Sequence, residues 1–398
     1  MASSYLKRMS SGLLVRVIST VLQTITLLIL ARQLEAVSFG YYASTVSAAT
    51  FVGAVLTFGA SMRIIYLSAP GQAQLLTTLR LVSIAGSFTS GVLSVGLAVL
   101  IWGSENLLLL VAAAAAVFVE VVYTAEANSH FARGAVRKAE LLILAKRLLP
   151  FTFIVVGFFF SRLEVTVFYL AGLCLSSLLI AIVVLSSLRL RGMFSAFIEA
   201  VRTSRHYWVS TIMATFQQLD VLIVGGLMGG AQAGGYAAGY RVASPAHLIT
   251  TSITAITIPS VANETISLSE RKVALRSLNR YMGAYACGLI ILSPLAALIA
   301  PLLLGKSYED FRWLFALFVV NAAVNSWVQS RIGVANSFGY SAYVASFLSV
   351  STVASLSLIA MFALVDTLIG VCIALLVSQI VQAIVFSFVA RKGSECLR

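Results

Sequence analysis

Three kinds of polar residue in this chain have the type and spacing to do chemistry. The first is a lone acid, Asp220, in the middle of the apolar stretch 208–229. A carboxylate at the centre of a bilayer costs roughly 2.5–3.5 kcal/mol on insertion scales, so it must be paired, protonated or bathed in water. Asp220 therefore reads either as a group that attracts a proton or sodium ion, or as one held by hydrogen bonds through Gln217 and Gln218. Glu120, in the stretch 106–125, is a weaker ion-coupling candidate that Arg63, Arg133 or Arg137 would neutralise. The second kind is a cation, Arg16, near the start of the first apolar run, which either meets an anionic substrate or snorkels to the surface. The third is a set of polar helix faces. Arg16, Thr20 and Gln23 stand at i, i+4 and i+7, and Thr211, Thr215 and Gln218 repeat that spacing. Asn321, Asn325 and Gln329 share one face of a later stretch, and Arg241, Ser244, His247, Thr251 and Thr254 share one face of another. Such faces turn toward a bundle or a cavity when they lie in a bilayer, although Ser and Thr also bond their own helix backbone. His247 reads first as a hydrogen-bonded bundle histidine.

No other chemistry has residues to carry it. The chain has no GxxxxGK[ST] phosphate loop, no HExxH, no GxSxG and no paired acids in a loop. Cys174, Cys287, Cys372 and Cys396 lack CxxC spacing and read as small buried hydrophobes, not as a metal site or disulfide framework. Catalysis, metals and cofactors are thus not expected, with proton or sodium coupling through Asp220 or Glu120 left as the ion chemistry.

The elements that position these residues are membrane spans. Of 398 residues 60% are hydrophobic and 10% charged, against roughly 25% charged in a soluble protein. That balance excludes soluble enzymes, nucleic-acid binders and disordered chains, and supplies about twelve spans of roughly 20 residues. Apolar stretches fall at about 12–30, 42–62, 81–102, 106–125, 141–161, 165–187, 208–229, 242–262, 282–304, 313–330, 342–364 and 368–390. The tightest breaks are Gly103–Glu105 and Val365–Thr367. Bare backbone cannot face lipid and strand alternation is absent, so the spans are predicted to be helices. The run after Lys7 and Arg8 lacks a small-residue cleavage site and reads as a first span, not a cleaved signal.

Twelve spans put both termini on one side. On that side fall 21 of the 27 Lys and Arg residues, against 5 opposite, with Arg16 inside the first span. Cytoplasmic loops carry the excess of Lys and Arg, so both termini are predicted to be cytoplasmic. The net charge of +13 is thereby topological and calls for no nucleic acid. The longest polar connection, 188–207, places Met193, Phe194, Phe197, Ile198 and Val201 on one face, as an amphipathic helix on the inner leaflet would.

A shift of 195 residues aligns Phe39-Gly40-Tyr41-Tyr42-Ala43 with Gly234-Gly235-Tyr236-Ala237-Ala238, and Gln23 with Gln218. The chain thus reads as an all-α integral membrane protein of two six-helix bundles, 1–187 and 208–398, joined by the linker 188–207. The repeat is parallel, about an axis along the membrane normal.

The run Ile29-Leu30-Ala31-Arg32-Gln33-Leu34 with Phe39-Gly40-Tyr41, then Thr57-Phe58-Gly59-Ala60, resembles the opening of Wzx-type polysaccharide flippases. Gln218-Leu219-Asp220, Gly226-Leu227, Gly235-Tyr236, Tyr240-Arg241 and Ile258-Pro259-Ser260 resemble their second half. These flippases belong to the multidrug/oligosaccharidyl-lipid/polysaccharide exporter superfamily. The resemblance implies two bundles forming a V around a central cavity in the bacterial cytoplasmic (inner) membrane. It implies movement of undecaprenyl-diphosphate-linked oligosaccharide repeat units between leaflets for O-antigen or exopolysaccharide synthesis, with polysaccharide polymerase machinery as a further partner. On that reading Arg16 and Arg63 attract the diphosphate. Gln23, Gln218, Arg241, Asn321, Asn325 and Gln329 line the substrate path. The alternative within the superfamily is a multidrug or small-metabolite cation antiporter, in which the acids dominate.

The charge count makes a direct prediction. In intact cells a membrane-impermeant reagent should label a cysteine placed at Lys306 and spare one at Lys138, Lys272 or Lys392. External labelling at Lys272 contradicts the twelve-span topology.

Overall fold

The computed structural model describes residues 2–65, 73–133, 135–159, 162–185, 193–216, 218–262 and 267–395. Among them it is all helix with short turns and no strand. Bilayer hydrocarbon offers backbone groups no partners, and the helix satisfies them within one segment. Each of the twelve expected spans is mostly helical over its described residues, with turns inside the second (57–59) and the seventh (218). Among the described residues eight helices meet the length and hydropathy of a crossing segment, and the one nearest the N-terminus holds two spans.

Two compact units divide the chain, Met1–Gly234 and Gly235–Arg398. The first contains α1 (Ala2–Leu56), α2 (Ala60–Ile65), α3 (Ala73–Trp102), α4 (Leu107–Ala132), α5 (Val136–Gly157), α6 (Arg162–Leu185), α7 (Met193–Phe216) and α8 (Leu219–Met228). The helix α9 (Gly230–Ala262) contains the division. The second unit continues with α10 (Leu268–Leu304), a 3₁₀ turn Lys306–Phe311, α11 (Arg312–Ser337), α12 (Ser341–Leu364) and α13 (Leu368–Glu395). By contacts, therefore, the seventh span groups with the first unit, whereas the sequence repeat places it at the start of the second half.

Three local departures from the expected layout have physical causes. No loop separates the first two spans: α1 runs through both, leaving helical geometry only at Glu35 (φ 60, ψ 174), where it kinks. The amphipathic segment does not stop at the membrane surface. Nothing between Met193 and Phe216 breaks a helix, so α7 carries the described part of the linker straight into the seventh span. That span is then interrupted by a turn at Gln218, the N-cap of α8. The two tightest expected turns are where the sequence puts them. Gly103 (φ 80) separates α3 from α4, and Asp366 (φ 56) separates α12 from α13. The start of α10 is a capping box, with Ser267 Oγ accepting from Glu270 N and Glu270 Oε2 accepting from Ser267 N.

Side chains on the spans sort by what they face. Leu100, Ile291 and Leu302 are 76–86% exposed, the lipid-facing complement of a helix bundle. Cys174 and Cys287 are also exposed, which corrects their reading as buried residues; Cys372 is buried, and none of the three is in a disulfide among the described residues. Polar contacts tie helices together inside each unit. In the first, Tyr42 and Tyr169 share a hydroxyl bond of 3.0 Å, Tyr123 Oη donates to the Ser176 carbonyl, and Trp208 Nε1 donates to the Val55 carbonyl at 2.8 Å. In the second, Tyr285 Oη donates to the Ala246 carbonyl and Trp327 Nε1 to Ser387 Oγ.

The glycines of the repeated segment bring backbones into direct contact. A Cβ on Gly40 would collide with the Gly230 carbonyl, and one on Gly234 with the Ala36 backbone. Here α1 and the start of α9 cross with no side chain between them, as small residues permit in membranes. Gly40→Ala and Gly234→Ala should each lower stability by about 1–3 kcal/mol, read as earlier thermal unfolding in detergent. Gly226→Ala, where an added Cβ meets nothing within 4 Å, should leave the transition where it is.

Candidate substrate-handling site

The strongest electrostatic feature of the first unit is a cluster on α4 and α5. Lys146 Nζ lies 2.8 Å from Glu120 Oε1 and 3.3 Å from Thr124 Oγ1, and Arg147 pairs with Glu120 Oε2. Thr124 stands one turn beyond Glu120 and shares its face. Glu120 lies nine residues from lipid-exposed Val111, about half a turn round α4, so the cluster points away from lipid. Its partners correct the expected ones: Lys146 and Arg147, and not Arg63, Arg133 or Arg137, compensate Glu120. Both cations stand ten or more residues into α5, in the first third of the expected span 141–161 and not in the loop.

A second ion pair braces the same unit. Arg80 on α3 and Glu126 on α4 are 2.6 Å apart and almost wholly buried, with side-chain exposures of 2% and 3%. His130 Nε2 lies 3.6 Å from the other Glu126 oxygen, and Asn128 Nδ2 donates to the Ser61 carbonyl at the start of α2. Arg63 on α2 is half-buried and lies over the Tyr207 ring, 5.7 Å from its centroid. Phe58 packs against both Phe197 and Trp208. Ala60, Ile64, Leu75, Leu76, Leu79, Ala125 and Ala200 form an apolar core that locks α2, α3, α4 and α7 together.

The break in the seventh span defines the setting of Asp220. It occupies the first turn of α8, is buried, and accepts a hydrogen bond from Val221 N at 2.7 Å. A helix N-terminus favours a negative charge, so the break supplies part of the compensation that a mid-span acid requires. Opposite, Ser44 Oγ donates to the Val221 carbonyl at 3.4 Å, and Phe51 meets Phe216 edge-on. Gln218 is the exposed N-cap residue of α8. Gln217 and the side chain of Arg16 lie outside the described residues. Gln23 is half-buried on α1. Ser19, one turn before it, donates to the Ile143 carbonyl of α5 at 3.1 Å.

In the second unit the two polar stripes meet. Thr250 Oγ1 donates to Ser326 Oγ at 2.7 Å, and Asn325 Nδ2 lies 3.3 Å from His247 Nδ1. Gln329, exposed one turn on, donates to Asn325 Oδ1 at 3.4 Å. Asn321 is buried, and its Oδ1 accepts no hydrogen bond among the described residues. Thr211, Thr215, Ser244 and Thr254 all donate to carbonyls of their own helices, the local bonding that hydroxyls make at helical positions. Arg241 is half-buried where Tyr236, Tyr240 and Phe318 pack ring to ring. Arg331, counted with the loops by sequence, instead bonds Asn279 and lies over the Trp327 ring at 4.1 Å.

The structure thus brings His247, Asn325 and Gln329 together in one unit. Glu120 and Asp220 lie on separate helices of the other. Sequence reasoning missed the Glu120 cluster and the Arg80–Glu126 pair. The available signal was the count of charges inside α4 and α5, which balances only if acids and bases on neighbouring spans pair.

A family model described as polysaccharide biosynthesis protein matches residues 29–312. No curated protein sequence matches the chain. Solved structures share its fold end to end. An inward-facing multidrug resistance MATE family transporter of the MOP superfamily superposes with TM-score 0.65 at 14% identity, over 94% of this chain and 95% of that one. An outward-facing structure of such a transporter gives 0.60 at 14%, over 98% and 96%. A eukaryotic MATE transporter gives 0.60 at 13%, over 100% and 99%. At these identities the likeness establishes the fold, a twelve-span arrangement of two helix bundles.

The buried pair yields a stability prediction. Glu126→Ala removes the carboxylate from the buried Arg80 guanidinium, so it should cost about 3–5 kcal/mol, seen as a lower melting temperature and membrane yield. Replacing both residues by Leu should recover most of that loss; a double variant as unstable as the single one contradicts this account.

Proposed function

The chain belongs to the polysaccharide biosynthesis protein family, and from that membership we propose that it is a flippase. Its substrate is a polyprenyl-diphosphate-linked oligosaccharide, which it moves from the cytoplasmic to the outer leaflet of a bacterial inner membrane for surface polysaccharide synthesis. The family match over 29–312 carries the reading, and the cations set inside the first unit support it. The protein performs no bond-making step: translocation needs only a polar route for the headgroup while the prenyl chain stays in lipid. Arg16 and Arg63 attract the diphosphate on the cytoplasmic side. Gln23, Gln218, Arg241, Asn321, Asn325 and Gln329 offer the uncharged and cationic donors that sugars and phosphates accept. Asp220 is the group through which a proton or sodium ion drives the cycle. Polymerase machinery takes the product in the outer leaflet.

One observation favours a second reading, a multidrug or small-metabolite cation antiporter. Asp220 sits at a mid-span helix break, and discontinuous helices of transporters commonly hold coupling ions or substrates. The two readings separate in a strain lacking its own flippase. Under the flippase reading the chain restores surface glycan display and clears accumulated lipid-linked repeat units. Arg16→Ala abolishes that rescue at normal abundance, and Asp220→Asn removes its dependence on the proton or sodium gradient. Failure to restore glycan display, together with energy-dependent efflux of a cationic dye that Asp220→Asn abolishes, assigns the chain to the antiporters.

A further inference from the structure

Two cations share one carboxylate in the Glu120 cluster. Among the described residues Lys146 has only Glu120 and Thr124 as polar side-chain partners, and Arg147 has only Glu120. One positive charge is left over, about 8 Å along α5 from the start of the expected span 141–161, where an unmatched charge is costly. The geometry ranks the three side chains. Lys146 is 9% exposed, Arg147 21% and Glu120 41%, so the cations are the more firmly enclosed and the Glu120 side chain has the most room to move, although its Oε2 is itself buried against Arg147. A lysine and an arginine gripping the two oxygens of one anion is also how phosphate oxygens are held. Helix register adds an uncharged donor. Ser19 bonds Ile143, and the two helices both run outward from the cytoplasmic side. Gln23 therefore stands at the level of Arg147.

We propose that Lys146 and Arg147 form a seat for a diphosphate group, and that Glu120 is its built-in occupant, displaced when substrate enters. This deepens the flippase reading and rests on it for the identity of the anion. Glu120 then acts on release more than on capture. Once displaced it remains on the same helix face as a like charge beside the phosphate, and its return to the two cations expels the ligand. A purely structural ion pair predicts the opposite, because removing its acid would disorder the seat.

The test uses the full chain in lipid nanodiscs, with inorganic pyrophosphate and a short-chain prenyl diphosphate as probes and the prenyl alcohol as control. Glu120→Gln should bind both diphosphates about tenfold or more tighter than the unmodified chain, since a like charge next to the ligand is gone. Lys146→Gln combined with Arg147→Gln should bind at least about tenfold weaker. Glu120→Asp, which keeps the charge and shortens its reach, should fall between Glu120→Gln and the unmodified chain, and serves if Glu120→Gln does not fold. Unchanged or weaker binding by folded Glu120→Gln or Glu120→Asp overturns the proposal, as does full binding by the double cation variant. Binding of pyrophosphate but not of prenyl diphosphate also overturns it, by assigning the seat to a free anion. Failure of glycan rescue with tighter binding by Glu120→Gln removes the flippase reading and leaves the seat. Rescue without that tightening removes the seat alone.

Discussion

Everything in this chain follows from the inability of hydrocarbon to satisfy a polar group. The backbone answers with helices throughout the described residues. The side chains answer by pairing: Glu120 and Glu126, both on α4, meet cations on neighbouring helices. Even the hydroxyls close locally, Thr211 and Thr215 bonding the turn before them. The compensation differs between the two acids of α4. Arg80 and Glu126 are almost wholly buried, which makes them a brace between α3 and α4. Glu120 faces two cations, which leaves its cluster unbalanced, and its side chain is the least enclosed of the three.

The same constraint explains where regular structure gives way. At Glu35, at Gln218 and at Asp366 the helix stops or bends, and after Gln218 an acid occupies the new helix start. In that first turn Val221 N donates to Asp220 Oδ1 at 2.7 Å. A continuous seventh helix would leave this acid without that stabilisation. Close backbone contacts at Gly40 and Gly234 serve packing in the same way, since apolar side chains gain little by meeting one another when lipid is equally apolar.

Much of the fold was legible in the sequence because hydropathy and charge asymmetry are the direct imprint of the bilayer. All twelve spans and the tight turns at Gly103 and Asp366 could be read this way. The repeat was visible in Phe39-Gly40-Tyr41 and Gly234-Gly235-Tyr236. What could not be read depends on contacts between helices. Gln217 and Gln218 are not helix breakers, so nothing local announces the break before Asp220. The kink at Glu35 falls on a residue with no preference for positive φ. Lys146 and Glu120 are 26 residues apart, and no periodicity within α4 or α5 says which faces meet. The polar stripes of α9 and α11 were legible as faces, whereas their pairing through Thr250–Ser326 and His247–Asn325 was not.

Transport of a lipid-linked glycan is the central claim, and reconstitution tests it most directly. The purified chain would be placed in sealed vesicles carrying a prenyl-diphosphate oligosaccharide confined at the start to the inner leaflet, with a membrane-impermeant glycosidase outside. The expected result is rapid, protein-dependent digestion of the labelled glycan while vesicle contents stay sealed. Glycan that remains protected, in vesicles where the same protein exchanges a cationic dye for protons or sodium, would contradict it.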